Sequence, residues 1–184
     1  MLPINCEISS FITLKRLLKS TGLKVIYGTI ILSLLSQITV PFYPIPLTLQ
    51  NLGVFCLTSF LGFRVATSST FLYLLLAWCG LPILTGGASG LMWHLLPQAG
   101  YLVGMALAPA VISWGLARSK SQKITHHLAC IVLAQGVIFT LGIANLCRFI
   151  DFKQSLIVGL YPFVFIDVFK TFAAAICLRF CRKA

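Results

Sequence analysis

Between Leu156 and Phe180 the chain reads LIVGLYPFVFIDVFKTFAAAICLRF, a run long enough to cross a bilayer as a helix that nonetheless carries Asp167 and Lys170 at its midpoint. At about 1.5 Å per residue such a helix spans about 37 Å. Each charge costs roughly 2.5–3.5 kcal/mol at a helix centre on the insertion scale, so an apolar segment keeps them only where something offsets that cost. Residues three apart share a helix face, so the carboxylate and the ammonium can pair and also project together into one cavity. Two readings follow: an internal ion pair that fixes helix packing, or an intramembrane site offering a ligand both an acceptor and a cation.

The remainder of the chain is consistent with a membrane protein. Of 184 residues, 59% are hydrophobic and 9% charged, and the mean hydropathy is +0.99, far outside the soluble globular range. The formal charge of +11 would suggest nucleic acid in a soluble protein, but here the basic residues fall mostly in gaps between apolar runs. The seven cysteines form no C-x-x-C pair, so no metal and no disulfide framework is expected, and nothing calls for a cofactor. Lys15, Arg16, Lys19 and Lys24 precede the first long apolar run without a cleavage-site pattern, so no cleavable signal peptide is expected. An intramembrane enzyme would need an acid/base or nucleophile pair. Apart from Asp167 with Lys170 the sequence offers none, so the chain reads as no enzyme.

Taken in order, residues 1–22 form an amphipathic interfacial segment, and 23–184 a single all-α membrane domain of six spans. The first, about Leu23 to Val40, sets Thr29 and Ser33 on one face as a small-xxx-small pair suited to close helix approach, within the protein or from a partner. Pro41, Pro44 and Pro46 then break the chain in an uncharged turn. The second span, about Leu47 to Phe63, opens on Thr48, Gln50 and Asn51, whose polar groups serve as local caps or as pocket donors and acceptors. Arg64 separates it from the third, about Val65 to Cys79, giving a tight helical hairpin.

The stretch from Gly80 to Tyr101, with Gly80, Gly86, Gly87 and Gly90 beside Pro82 and Pro97, is too broken for a helix and too apolar for an exposed loop. It reads as a re-entrant segment or lid in which glycines let backbone amides approach a ligand, or as a plain capping turn. The fourth span, about Gln98 to Ala117, carries the ladder Gly100, Gly104, Ala108; the fifth is about Ile124 to Leu146, with a solvated His126–His127 pair at its mouth. Pro162, one turn before Asp167, is expected to bend the last span.

Six spans place Lys15, Arg16, Lys19, Lys24, Arg64, Arg118, Lys120, Lys123, Arg179, Arg182 and Lys183 on one side, against Arg148 and Lys153 on the other. That asymmetry predicts a multi-pass protein of the cell's inner (plasma) membrane with both termini cytoplasmic. The proline turn and the glycine-rich stretch then lie outside, above Asp167 and Lys170.

These residues carry a resemblance. The chain has P-x-P-x-T-L-Q from Pro44 to Gln50, then G-L-P at Gly80 to Pro82 with Gly86–Gly87, then G-Y-L at Gly100 to Leu102, and D-x-x-K at Asp167 and Lys170. In this order and spacing, from about Gln37 to Lys170, it resembles the BioY family, the biotin-binding S components of energy-coupling-factor (ECF) vitamin transporters. It departs from the family pattern at Leu96 to Gly100, and Thr29 with Ser33 is the nearest substitute for the family's alanine-x-x-x-alanine docking face. The resemblance implies an ECF S-component-like, six-helix protein that captures extracellular biotin and delivers it to the cytoplasm. It implies Asp167 and Lys170 as polar contacts, Gln50, Gly87 and Tyr101 as further contacts, and Thr48 behind them. The sequence contains no G-x-x-x-x-G-K-[ST], so any ATP drive comes from separate coupling and ATPase subunits. Whether such subunits are used, and whether the chain forms a homodimer, stays open at this point, as does a structural subunit whose ion pair only holds helices together.

Overall fold

The computed structural model describes residues 20–40, 45–90, 92–118 and 123–183, with side chains described throughout except at 165 and 177–183. Residues 1–19 of the interfacial segment expected over 1–22, Pro41 and Pro44, and the basic residues Lys15, Arg16, Lys19 and Lys120 lie outside the described residues; the side chains of Arg179, Arg182 and Lys183 do too.

The described chain is mostly helical. Its elements are α1 (Thr21–Gln37), β1 (Thr39–Val40), β2 (Leu47–Thr48), α2 (Gln50–Leu61), α3 (Phe63–Trp78), α4 (Ala99–Arg118), α5 (Ile124–Leu146), α6 (Phe152–Gly159) and α7 (Tyr161–Lys183). Two of these, α4 and α5, are long and apolar enough to cross a membrane, or three if the bent run from Phe152 to Ile176 counts as one span. Of the others expected to span, α1 and α3 reach 17 and 16 residues, close to expectation, and α2 only 12.

Three boundaries differ from expectation for physical reasons. On either side of the proline stretch the chain forms a two-residue antiparallel ribbon in which Thr39 faces Thr48 and Val40 faces Leu47, a small β addition to an otherwise helical fold. The break between α2 and α3 falls at Gly62, whose φ of 81° suits glycine, and Arg64 lies inside the first turn of α3. The last segment is two helices, α6 ending at Gly159 and α7 beginning at Tyr161. Pro162 is therefore the second residue of α7, where its missing N–H leaves no gap in the helix, and the expected bend lies just beyond it: the run turns by 48° between Phe152–Val164 and Ile166–Ile176.

Both surface and core are apolar. Ile26, Ile30, Leu34, Phe71, Val132, Val168 and Phe169 point outward, while an apolar core around Leu32, Phe55, Met105 and Ile138 also takes in Thr29, Ser69, Gln50, Gln135, Asp167 and Lys170. Small residues set the closest contacts, as the ladder on α4 predicts: a β-carbon on Gly104 would strike the backbone of Ile138 on α5, and Ala108 is fully buried. Thr29, however, is turned inward. Its hydroxyl donates to the carbonyls of Val25 at 2.9 Å and Ser69 at 3.1 Å, so it joins α1 to α3 and is no open docking face. The outward face of α1 carries bulky Ile26, Ile30 and Leu34 instead. At the start of α5, His127 is buried, with Nδ1 2.9 Å from the Lys123 carbonyl, and is not the solvated group expected there.

The stretch after α3 is a compact loop holding two single 3₁₀ turns, Thr85–Gly87 and Trp93–Leu95. Gly80, Gly86, Gly87 and Gly90 all take positive φ, which accounts for their density here. The loop is tied down by the Gly90 amide donating to the Ala77 carbonyl at 2.9 Å, by buried Leu84, and by Asn145 Nδ2 donating to the carbonyls of Leu96 (3.1 Å) and Pro97 (3.0 Å).

Candidate functional site

The inward face of α7 reads Phe163, Asp167, Lys170, Thr171, Ala174, Ala175, the spacing of one helical stripe. On it, Lys170 Nζ lies 2.9 Å from Asp167 Oδ1, and the two residues are only 6% and 4% exposed. Each charge has a further partner from another element. Gln135 Nε2 on α5 donates to Asp167 Oδ2, and Lys170 Nζ donates to the Thr48 carbonyl of β2 at 2.8 Å. A low-dielectric interior tolerates a buried ion pair only when its remaining valences are answered in this way.

From Thr48 a chain of hydrogen bonds crosses the molecule. Thr48 Oγ1 donates to Gln50 Oε1 at 3.3 Å, Gln50 Nε2 donates to Tyr73 Oη at 2.6 Å, and Tyr73 Oη donates to the Ile83 carbonyl at 3.1 Å. Ser36 Oγ reaches the same carbonyl at 2.6 Å, and Gln37 Nε2 donates to the Leu84 carbonyl at 3.0 Å. The ribbon, α2, α3 and the glycine-rich loop are thereby joined to α7.

Beside this chain lies a cavity of about 40 Å³. Thr48, Gln50, Asn51, Thr85 and Gln98 give it polar walls, and Tyr101 and Phe163 an apolar one. Those two rings are stacked, with centroids 5.9 Å apart and planes at 17°, and Phe139 meets both edge-on at 6.4 and 6.2 Å. Small-molecule pockets start at roughly 300 Å³. For such a ligand to enter, the walls must part, and those free of continuous helix are the ribbon at Thr48 and the loop at Thr85.

Of the residues singled out by sequence, Thr48, Gln50 and Tyr101 line this cavity together. Asp167 and Lys170 sit one residue behind it, joined through Thr48: its side chain is on the cavity and its carbonyl on Lys170. Lys170 and Thr48 also line a second hollow, of about 190 Å³, behind the ribbon. Gly87 stands apart, exposed in the loop with its amide donating to the Leu84 carbonyl at 3.0 Å, while Thr85 takes the lining position. Gln135 and Tyr73 were not singled out. Each is a polar group within an apolar run, the same signal that marks Asp167 and Lys170. Among the described residues no group of three His, Cys, Asp or Glu is placed to hold a metal ion.

Comparison with known proteins places this geometry in context. A family model described as the BioY family matches residues 12–184. The chain is 34% identical over 151 residues to the biotin transporter BioY2 of Lactococcus lactis subsp. cremoris, covering 81% of this chain and 82% of that protein. It is 34% identical over 140 residues to the biotin transporter BioY of Thermotoga maritima, covering 76% and 82%. Among solved structures, it is similar to the S-component for biotin from an ECF-type ABC transporter, with a TM-score of 0.76 and 27% identity across 100% of this chain and 96% of that one.

Proposed function

The chain belongs to the BioY family and is a biotin-binding transporter subunit, not an enzyme, and from that premise we propose that biotin is held at the cavity between Thr48, Gln50 and Tyr101, with Asp167 and Lys170 as its charged floor. The observation that carries this reading is the double engagement of Thr48, whose side chain lines the cavity while its carbonyl occupies the Lys170 ammonium. A ligand oxygen that replaced the carbonyl would gain a charge-assisted hydrogen bond and release the ribbon at once. Biotin presents a ureido group, a fused apolar bicycle and a carboxylate, which matches a mostly apolar wall with a few fixed polar groups. In this reading Lys170 donates to a ligand oxygen, Asp167 accepts from a ureido N–H, Gln50 and Thr48 supply neutral contacts, and the Tyr101–Phe163 pair flanks the bicycle. Gly87 belongs to the covering loop, where the lack of a side chain lets backbone come close to the ligand.

The protein lies, in this reading, in the plasma membrane with both termini cytoplasmic, so the cavity opens outward. Its energy source is a separate coupling subunit with ATPases, a reading supported by the likeness to an S-component from an ECF-type ABC transporter. The ion pair also ties α7 to α5 and β2, so a purely structural role is the competing reading. Equilibrium binding of labelled biotin to the detergent-purified chain decides between them. Submicromolar binding that Lys170→Ala abolishes is expected; equal binding by the parent and by a folded Lys170→Ala variant overturns the site.

A further inference from the structure

Two glycines on different elements face one side chain of the cavity wall. A β-carbon on Gly142 of α5 would fall on Cδ1, Cε1 and Cζ of the Tyr101 ring. A β-carbon on Gly159, the last residue of α6, would come within 2.5 Å of Tyr101 Oη. That hydroxyl already donates to the Gly159 carbonyl at 2.9 Å. Position 142 thus bounds the ring and position 159 bounds its tip, with Phe163 stacked on the ring's face. Glycine is not required along α5 in general, since a β-carbon on Gly136 would meet nothing within 4 Å. Gly100 and Gly104 differ again, because they let the α4 and α5 backbones approach each other and shape no side chain of the cavity.

We propose that Gly142 and Gly159 are positioning residues for the ligand: together they form a slot that fixes the Tyr101 ring parallel to Phe163, so that the cavity presents a flat aromatic wall to a fused-ring ligand. The inference rests on the biotin-site reading above, but the slot has its own readout. A ring face covers an apolar bicycle closely only while its plane is held, because tilting it opens a gap and loses van der Waals contact. The slot holds it by shape on two sides and by one hydrogen bond at the tip. It also ties α4 to the α6–α7 junction, so a shift of that junction would tilt the wall.

The test uses the purified full chain carrying fluorotyrosine, with the Tyr101 fluorine resonance assigned by its loss in Tyr101→Phe. Gly142→Ala and Gly159→Ala should each shift that resonance and weaken binding of labelled biotin by about tenfold, the scale of losing one aromatic contact. Gly136→Ala should do neither. The decisive comparison is the double variant Gly159→Ala/Tyr101→Phe. It removes the oxygen nearest the new methyl, the next atom being the flexible Leu146 Cδ2 at 3.0 Å, and should bind close to Tyr101→Phe alone. Adding Tyr101→Phe to Gly142→Ala should relieve nothing, because the ring carbons remain. If Gly142→Ala does not fold, the Gly159 pair decides. Parental binding by Gly159→Ala, or a Gly159→Ala defect that Tyr101→Phe leaves in place, overturns the proposal. A parent chain that binds no biotin while the resonance shifts as described would remove the biotin site and keep the slot.

Discussion

A carboxylate and an ammonium inside a membrane domain persist only while both are answered, and here each has two partners: Asp167 has Lys170 and Gln135, and Lys170 has Asp167 and the Thr48 carbonyl. Removing one member strands the other, which costs about 3–5 kcal/mol for a buried pair, whereas replacing both by apolar side chains of similar size is often neutral. Lys170→Met should therefore lower the stability of the detergent-solubilised protein by about that amount, and Asp167→Leu/Lys170→Met should recover most of it. Thermal denaturation reads both. The double variant should still bind no biotin, because the donor and acceptor that the ligand needs are gone; parental affinity in that variant would make the pair structural and nothing more. Gln135→Leu tests the outer partner. It leaves one carboxylate oxygen without its donor, a loss of about 1–3 kcal/mol, and a thermal midpoint equal to the parent's would show that the Gln135 contact contributes nothing.

Among the elements, the covering loop meets the hydrogen-bond chain beside the cavity through one phenol. Tyr73 is fully buried, accepts from Gln50 and donates to Ile83, so it carries the connection from the cavity to the loop. Tyr73→Phe keeps the ring and its packing and removes that connection. The amides from Ile83 to Gly90 should then exchange with deuterium faster, while those in the middle of α5 stay as protected as in the parent; unchanged loop exchange would mean that Ser36, Gln37 and Leu84 hold the loop by themselves. Little of this was legible in sequence, and the reason is geometric. Apolar runs, glycine breaks and the α4 ladder are local patterns, so α4, α5 and the α2–α3 hairpin could be read directly, as could the shared face of Asp167 and Lys170. Which face of a uniformly apolar helix turns inward is not a local pattern, and so the small-xxx-small face at Thr29 left a neighbouring helix and a partner both open, and the bond to Ser69 selects the former. The same holds for the pairing of Gln50 with Tyr73 and of Asp167 with Gln135, set by contacts 23 and 32 residues apart in sequence. The break at Leu160 was not read from the sequence, although Gly159 before it and Pro162 after it are helix-end signals, whereas the bend expected from Pro162 falls close by, between Val164 and Ile166.

For the whole molecule, the orientation in the membrane governs what the cavity can do, and two cysteines report on it. Cys79 follows α3 and Cys147 follows α5, and both are exposed. Asn145, two residues before Cys147, donates to the carbonyls of Leu96 and Pro97 at the far end of the loop that starts beside Cys79. The loop thus ties the ends of α3 and α5 together, so both thiols belong to the end of the molecule that bears the cavity. On the proposed topology, which rests on the distribution of Lys and Arg, that end lies outside and carries Arg148 and Lys153. In intact cells, a membrane-impermeant maleimide should therefore label single-cysteine variants retaining Cys79 or Cys147, and should leave buried Cys130 unlabelled until the protein is denatured. Labelling of neither exposed thiol in intact cells, with both reacting after permeabilisation, would invert the protein and leave the cavity facing the cytoplasm, where it could not capture an external vitamin. Labelling of one alone would break the shared-end geometry itself, because α3 and α5 would then finish on opposite sides of the bilayer and the loop could not join them.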